Sequence, residues 1–497
     1  MRSVARTVAL FSVIVLAAST AGAAPAADAT PASASTGPSP SLSWHACAEA
    51  ALKGFQCATL TVLKDPATPA AGTFDLAVVR LKANGTAKQR VGSLFFNPGG
   101  PGVSAVDLAG VVAKALPAQL RRAFDFVTWD PRGVGRSSGL ADCDGGEYSL
   151  PATGAVDWDA VTAEMRASER AANAACQARY PDVVPYISTR ATVRDLDALR
   201  AAVGDAKLTF WGTSYGTRIG YVYAHDYPDR VRAMLLTSSV DPNATWGSFA
   251  LGGAVAPDTA LGFAFEGFPG TTTRYLRSRA ALDARTIALP SGTQFTRWML
   301  DGTLSLQATS ESNYAGIAAY VRNADDALFA TGATQSAAVR ALDEATVPWT
   351  KAPVTGGATP FIGCADYAQR LTAAEQDALH ARIRAQAPIT GWTGAQGLFY
   401  CEGMTFAPDP VPVDFTDWTT PILIMGSTRD ALTPYGWTAD MARTFRNSRV
   451  VTRVGGQHTP FLSGSSCVDA YGIAYLVGLK RPKVDVTCPS AVVGGAG

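Results

Sequence analysis

The 497-residue chain carries 42 Lys+Arg against 41 Asp+Glu, a formal net charge of +1, and is 47% apolar with only 17% charged residues. That balance offers neither a basic face for nucleic acid nor a polyacidic tail, and 10 Trp, 15 Tyr and 20 Phe exclude a disordered scaffold. The length suits about two or three domains with sizeable cores.

Arg2 and Arg6 lead into an apolar stretch at 8–18, followed by Ala21-Gly22-Ala23-Ala24. A charged start, a short apolar centre and an A-x-A type site predict a secretory signal over 1–24, cleaved near Ala23, and therefore a secreted protein. The stretch falls short of the roughly 20 residues needed to cross a bilayer, and none elsewhere approaches that length, so no membrane partner is expected. Residues 25–43, rich in Ala, Pro, Ser and Thr, read as a flexible leader.

From 44 to 241, short β-rich runs alternate with amphipathic stretches. Strands are predicted at 58–63, 74–82, 93–96, 124–129, 208–211 and 233–237, with helices at 106–115, 155–180, 192–203 and 217–227. Apolar runs bounded by turn residues and separated by helices predict a mostly parallel sheet in an α/β domain. Over 242–413 the strand signals vanish. Ile317, Tyr320, Val321, Ala324 and Leu328 keep helical spacing, and Thr372 with Glu375 forms a capping box ahead of Leu379 and Ile383. A structureless segment of that length is not expected inside a domain. It is read as a mainly helical cap inserted into the α/β core, in preference to an unrelated second domain. The core resumes over 414–497, with strands at 422–425 and 449–454 and helices near 436–445 and 467–479.

All eight cysteines follow the predicted cleavage site. In an oxidising compartment an even number predicts disulfides, and loop closure favours neighbours. The expected pairs are Cys47–Cys57, Cys143–Cys176, Cys364–Cys401 and Cys467–Cys488. No CxxC spacing or histidine cluster supports a metal site instead.

Gly212-Thr213-Ser214-Tyr215-Gly216 lies between a predicted strand and a predicted helix. This is the context of a nucleophile elbow, which presents a serine hydroxyl at the sheet's carboxyl edge and at a helix N-terminus. A serine of ordinary acidity needs a base. Of the four histidines, His458 in Gly455-Gly456-Gln457-His458-Thr459 follows a strand and suits that role. His45 sits near the start, His225 in the helix after the elbow, and His380 on the polar side of a cap helix. Asp430, after strand 422–425 and before His458, is the expected acid, with Asp241 as its rival. The turn Asn97-Pro98-Gly99-Gly100-Pro101-Gly102 follows strand 93–96, so the N–H groups of Gly100 and Tyr215 are the expected oxyanion donors. The turn Asp130-Pro131-Arg132-Gly133 reads as architectural.

These motifs, with Gly363-Cys364-Ala365-Asp366, Thr433-Pro434 and His458-Thr459, resemble secreted α/β-hydrolase peptidases of the prolyl aminopeptidase family, and within it the tripeptidyl aminopeptidase branch. The resemblance runs from about Trp44 to Pro489. It implies an α/β-hydrolase fold with helices on both faces of the sheet, and release of short peptides, expected to be tripeptides, from free peptide or protein N-termini. The implied route is a Ser214, His458, Asp430 triad and an acyl-enzyme, with no metal or organic cofactor. An aminopeptidase must also hold the substrate ammonium at a fixed distance from the serine. Asp366 and Glu402, each beside a cysteine of one expected disulfide, are the candidates, and Glu266 is a weaker one. A secreted carboxylesterase or lipase with the same triad remains an alternative, as does a non-catalytic hydrolase-fold binding protein. An apolar cap cleft without acidic residues would favour the esterase.

Overall fold

A computed structural model describes residues 42–490 apart from 141, 144, 346–356 and 416–417. The predicted signal at 1–24 and all of the leader but its final residues lie outside the described residues. In chain order the strands are β1 (His45–Ala46), β2 (Gln56–Leu63), β3 (Thr73–Leu81), β4 (Gly92–Asn97), β5 (Phe124–Trp129), β6 (Leu208–Thr213), β7 (Val231–Thr237), β8 (Ile287–Ala288), β9 (Gln294–Phe295), β10 (Ile422–Ser427), β11 (Ser448–Arg453) and β12 (Val486–Cys488). Ten of them form one sheet in the order β1-β2-β3-β5-β4-β6-β7-β10-β11-β12. Pairing is antiparallel from β1 to β5 and parallel from β5 through β12.

The central strands are apolar on both faces, as strands covered by helices on both sides must be. Alternate residues serve separate cores. Phe95, Phe210, Leu236, Ile422 and Ile424 face one, and Leu94, Phe96, Trp211, Leu235, Leu423 and Met425 face the other. The outer strand β2 alternates buried and exposed residues beyond Ala58, as an edge-side antiparallel strand should. Arg132 in the Asp130-Pro131-Arg132-Gly133 turn is buried and forks onto Asp195 at 2.7 and 2.6 Å, which gives that turn a structural anchor.

Among the described residues between β7 and β10, the regular structure is helical except for the short β8–β9 hairpin. Its main helices are Trp246–Glu266, Thr271–Ala284, Arg297–Gln307, Tyr314–Phe329, Gly332–Ala345, Thr359–Asp366 and Ala373–Gln386. Ile317, Tyr320, Val321, Ala324 and Leu328 form the buried face of Tyr314–Phe329, and Thr372 with Glu375 makes the reciprocal cap. These helices do not keep to themselves. Val161 and Met165 of helix Trp158–Arg179 share a core with Ala250, Ala254, Ile383 and Phe399.

His380 departs from the sequence reading. It is buried against Trp158 and Phe399, not on a polar side. His380 falls on the buried face of helix Ala373–Gln386, with Gln376 and Ile383, while the opposite face is exposed. Burial, reinforced by Arg384, holds the imidazole down at about pKa 4. It therefore stays neutral near pH 7, and it is not among the residues lining the cavity that holds Ser214.

Candidate active site

β6 ends at Thr213, and the next residue turns sharply. Ser214 sits at φ 56° and ψ −126°, a conformation a side-chain-bearing residue rarely adopts. Its N–H is held by Thr237 O at 2.9 Å. The flanking glycines make the turn possible: a Cβ on Gly212 would overlap the Gly216 carbonyl, and one on Gly216 would lie 2.6 Å from Asn97 O. Helix Tyr215–Asp226 begins immediately, so its first N–H groups have no partner within the helix.

The glycine turn after β4 packs against this elbow. Gly99 and Gly100 have φ of +105° and +111°. A Cβ on Gly99 would lie 2.8 Å from Ser214 Cβ and 3.1 Å from Tyr215 N. Asn97 Oδ1 braces the turn by accepting the Gly99 N–H at 3.0 Å. Only bare backbone fits there, and bare backbone is what exposes N–H groups beside the serine.

Asp430 lies on the loop after β10, with its side chain 1% exposed. Its carboxylate accepts the N–H groups of Leu432 at 2.9 Å and Thr433 at 3.0 Å and the Thr433 hydroxyl at 3.0 Å. His458 Nδ1 is 2.8 Å from Asp430 Oδ1. That contact makes Nδ1 the donor and leaves Nε2 as the free acceptor. The His458 carbonyl accepts the Ser238 hydroxyl. Ser214, Tyr215, Gly100 and His458 all line one cavity of about 480 Å³. Its remaining walls are mostly apolar and include Val240, Trp246, Phe249, Leu432 and Trp437. Phe249 stacks on Trp437 with centroids 5.4 Å apart. This aromatic wall was not anticipated from sequence, although Trp246 and Phe249, three apart, share a helix face.

The expected ammonium ligands require correction. Neither Asp366 nor Glu402 lines this cavity; each is committed to an arginine. The fully buried Asp366 carboxylate pairs with Arg218 Nη1 at 3.1 Å and accepts the Thr189 N–H at 3.0 Å and hydroxyl at 2.6 Å. The same threonine hydroxyl meets Tyr215 Oη at 2.6 Å, so the network braces the elbow from beneath. Glu402 pairs with Arg170 at 2.8 Å and takes Gln376 Nε2 at 2.8 Å. Glu266 is exposed at the end of its helix. Asp241 follows β7 and accepts the Asn243 N–H at 2.9 Å, with no bond to an imidazole among the described residues. His225 pairs with Asp226 at 2.8 Å, and His45 is exposed in β1.

Replacing Asp366 with Ala would strand the buried Arg218 guanidinium. The expected result is a loss of about 3–5 kcal/mol in urea unfolding. Unchanged stability with a selective loss of turnover on free-amine substrates would instead restore Asp366 as an amine ligand.

All four cysteine pairs form as expected, joining Cys47–Cys57, Cys143–Cys176, Cys364–Cys401 and Cys467–Cys488. No helix among the described residues is long and apolar enough to cross a membrane.

The chain belongs to the α/β-hydrolase fold family, whose sequence profile matches residues 92–465. It is 30% identical over 470 residues to the serine protease Hip1 of Mycobacterium tuberculosis H37Rv, covering 88% of this chain and 87% of that protein. It is 31% identical over 480 residues to the tripeptidyl aminopeptidase of Streptomyces lividans, covering 90% and 86%. It is 27% identical over 501 residues to the carboxylesterase B of M. tuberculosis H37Rv, covering 90% of each. With this family and these relatives, the protein is a serine hydrolase with serine peptidases among its kin.

Proposed function

We propose that the protein is a secreted serine exopeptidase that releases short peptides, tripeptides in particular, from free N-termini. Ser214 attacks the scissile carbonyl while His458 Nε2 takes its proton and Asp430 holds the imidazole tautomer. The N–H groups of Gly100 and Tyr215 hold the tetrahedral oxyanion. His458 then protonates the leaving amine, and water resolves the acyl-enzyme by the same route. Residues 242–413 act as a cap over a core formed by 44–241 and 414–497.

The observation that carries this reading is the cavity shared by Ser214, Gly100, Tyr215 and His458, with Asp430 bonded behind the imidazole. The peptidase relatives support a peptide as substrate. Four disulfides suit an oxidising compartment.

The aromatic wall and the absence of a carboxylate from the cavity lining among the described residues favour a second reading, a carboxylesterase with the same catalytic groups. N-acetylation of a tripeptidyl amide substrate separates the two. An exopeptidase loses about 100-fold or more in kcat/KM when the ammonium is removed, since a charged contact is worth a few kcal/mol. Unchanged kcat/KM, with faster turnover of simple acyl esters, would establish the esterase.

A further inference from the structure

The loop that carries His458 hangs between two supports. On one side it is zipped to the Asp430 loop: Thr428 N–H donates to Arg453 O at 3.0 Å, and Arg429 N–H to Gly455 O at 3.0 Å. On the other side lies the segment between helices Arg297–Gln307 and Tyr314–Phe329, far upstream in sequence. His458 N–H donates to Thr309 O at 3.1 Å, and Ser310 Oγ donates to Gln457 Oε1 at 2.7 Å. Glu311 makes the strongest contacts. Its Oε2 accepts the Gly456 N–H at 2.9 Å, and its Oε1 accepts Arg453 Nη2 at 2.6 Å. Both partners of this ion pair are buried, at 8% and 2% side-chain exposure.

The glycines of the loop belong to the same arrangement. Gly455 has φ +131°, and a Cβ there would overlap Glu311 Oε2; a Cβ on Gly456 would overlap the Tyr314 hydroxyl. These positions are bare so that residues 309–314 can press against the loop. The cost is a flexible backbone immediately before the histidine. Something outside the loop must therefore fix where the imidazole points.

We propose that Glu311 is a positioning residue for His458: its carboxylate locks the Gly455-Gly456 backbone to Arg453 and holds the imidazole in register with Ser214. The proposal rests on the reading of His458 as the base. It ties that base to the helical segment above the site, because Thr309, Ser310 and Glu311 lie between helices Arg297–Gln307 and Tyr314–Phe329. Glu311 is not among the residues lining the cavity, so its loss should act on turnover and not on substrate affinity.

The test is a double-mutant cycle on kcat. Glu311→Gln keeps an acceptor for Gly456 but removes the charge facing Arg453. A displacement of the base by about 1 Å can cost on the order of 100-fold, so kcat should fall by about 10- to 100-fold with KM within about twofold. In a His458→Ala background the same substitution should cost nothing further, because it acts only through the imidazole. Unchanged kcat in Glu311→Gln, or losses that multiply in the double variant, would overturn the proposal. Full activity in His458→Ala would overturn the base assignment and the proposal with it. If Glu311→Gln does not fold, Ser310→Ala decides. One lost hydrogen bond predicts a fall in kcat of about fivefold, again absent in the His458→Ala background. Wild-type kcat there would overturn the proposal.

Discussion

Ser214→Ala is expected to lower kcat by about 10⁶-fold. The serine hydroxyl is held at the tip of a strained turn, φ 56°, between β6 and the first N–H groups of a helix. Alanine retains the backbone, Cβ and cavity, so folding and KM should change little. What vanishes is the proposed attacking atom. Removing it leaves only the oxyanion donors and substrate binding, which supply a small residue of the acceleration. Steady-state kinetics on a tripeptidyl amide substrate, with circular dichroism to confirm folding, measures the effect. A loss below about 10³-fold would mean that another group serves as nucleophile.

Asp430→Asn is expected to cost about 10⁴-fold in kcat. The loss comes through a tautomer of His458. Asp430 accepts from Leu432 N, Thr433 N and the Thr433 hydroxyl, and its carboxylate also faces His458 Nδ1 at 2.8 Å. An asparagine can satisfy the backbone donors with its carbonyl, but its amide then offers a donor to Nδ1. The imidazole would answer by moving its proton to Nε2, the atom proposed to accept from Ser214. Geometry survives while chemistry fails, so the unfolding midpoint should shift far less than the rate. A rate within about tenfold of wild type would remove Asp430 from the catalytic group, and Asp241 would need reconsideration.

The sheet was largely legible because its central strands are short apolar runs between turn residues. Strand 124–129 is matched residue for residue; those expected at 58–63, 93–96, 208–211, 233–237 and 422–425 are each two residues longer, and those at 74–82 and 449–454 begin and end one residue earlier. β1 and β12 escaped notice since, as edge strands of two and three residues, they carry almost no pattern. The disulfides from Cys57 to Cys47 and from Cys488 to Cys467 tie those edges down. Ser214, Asp430 and His458 could be picked out because each stands just after a readable strand.

The rest depends on contacts between distant parts of the chain. Asp366 looks like a free carboxylate in a motif until the fold brings Arg218 against it. His380 looks exposed until helix Trp158–Arg179 covers it. The aromatic wall and Glu311 arise where the helical segment meets the core, and no local periodicity encodes that meeting. Pro257 inside the nearly uniformly apolar helix Trp246–Glu266 further masks its start and end.

The most direct test of the account is mass mapping of a fluorophosphonate adduct on the intact protein. The account predicts one phosphonylated residue, Ser214, with labelling slowed at least 100-fold by His458→Ala and by Asp430→Asn. Adduct on a different side chain, or labelling of Ser214 at an undiminished rate without His458, would contradict it.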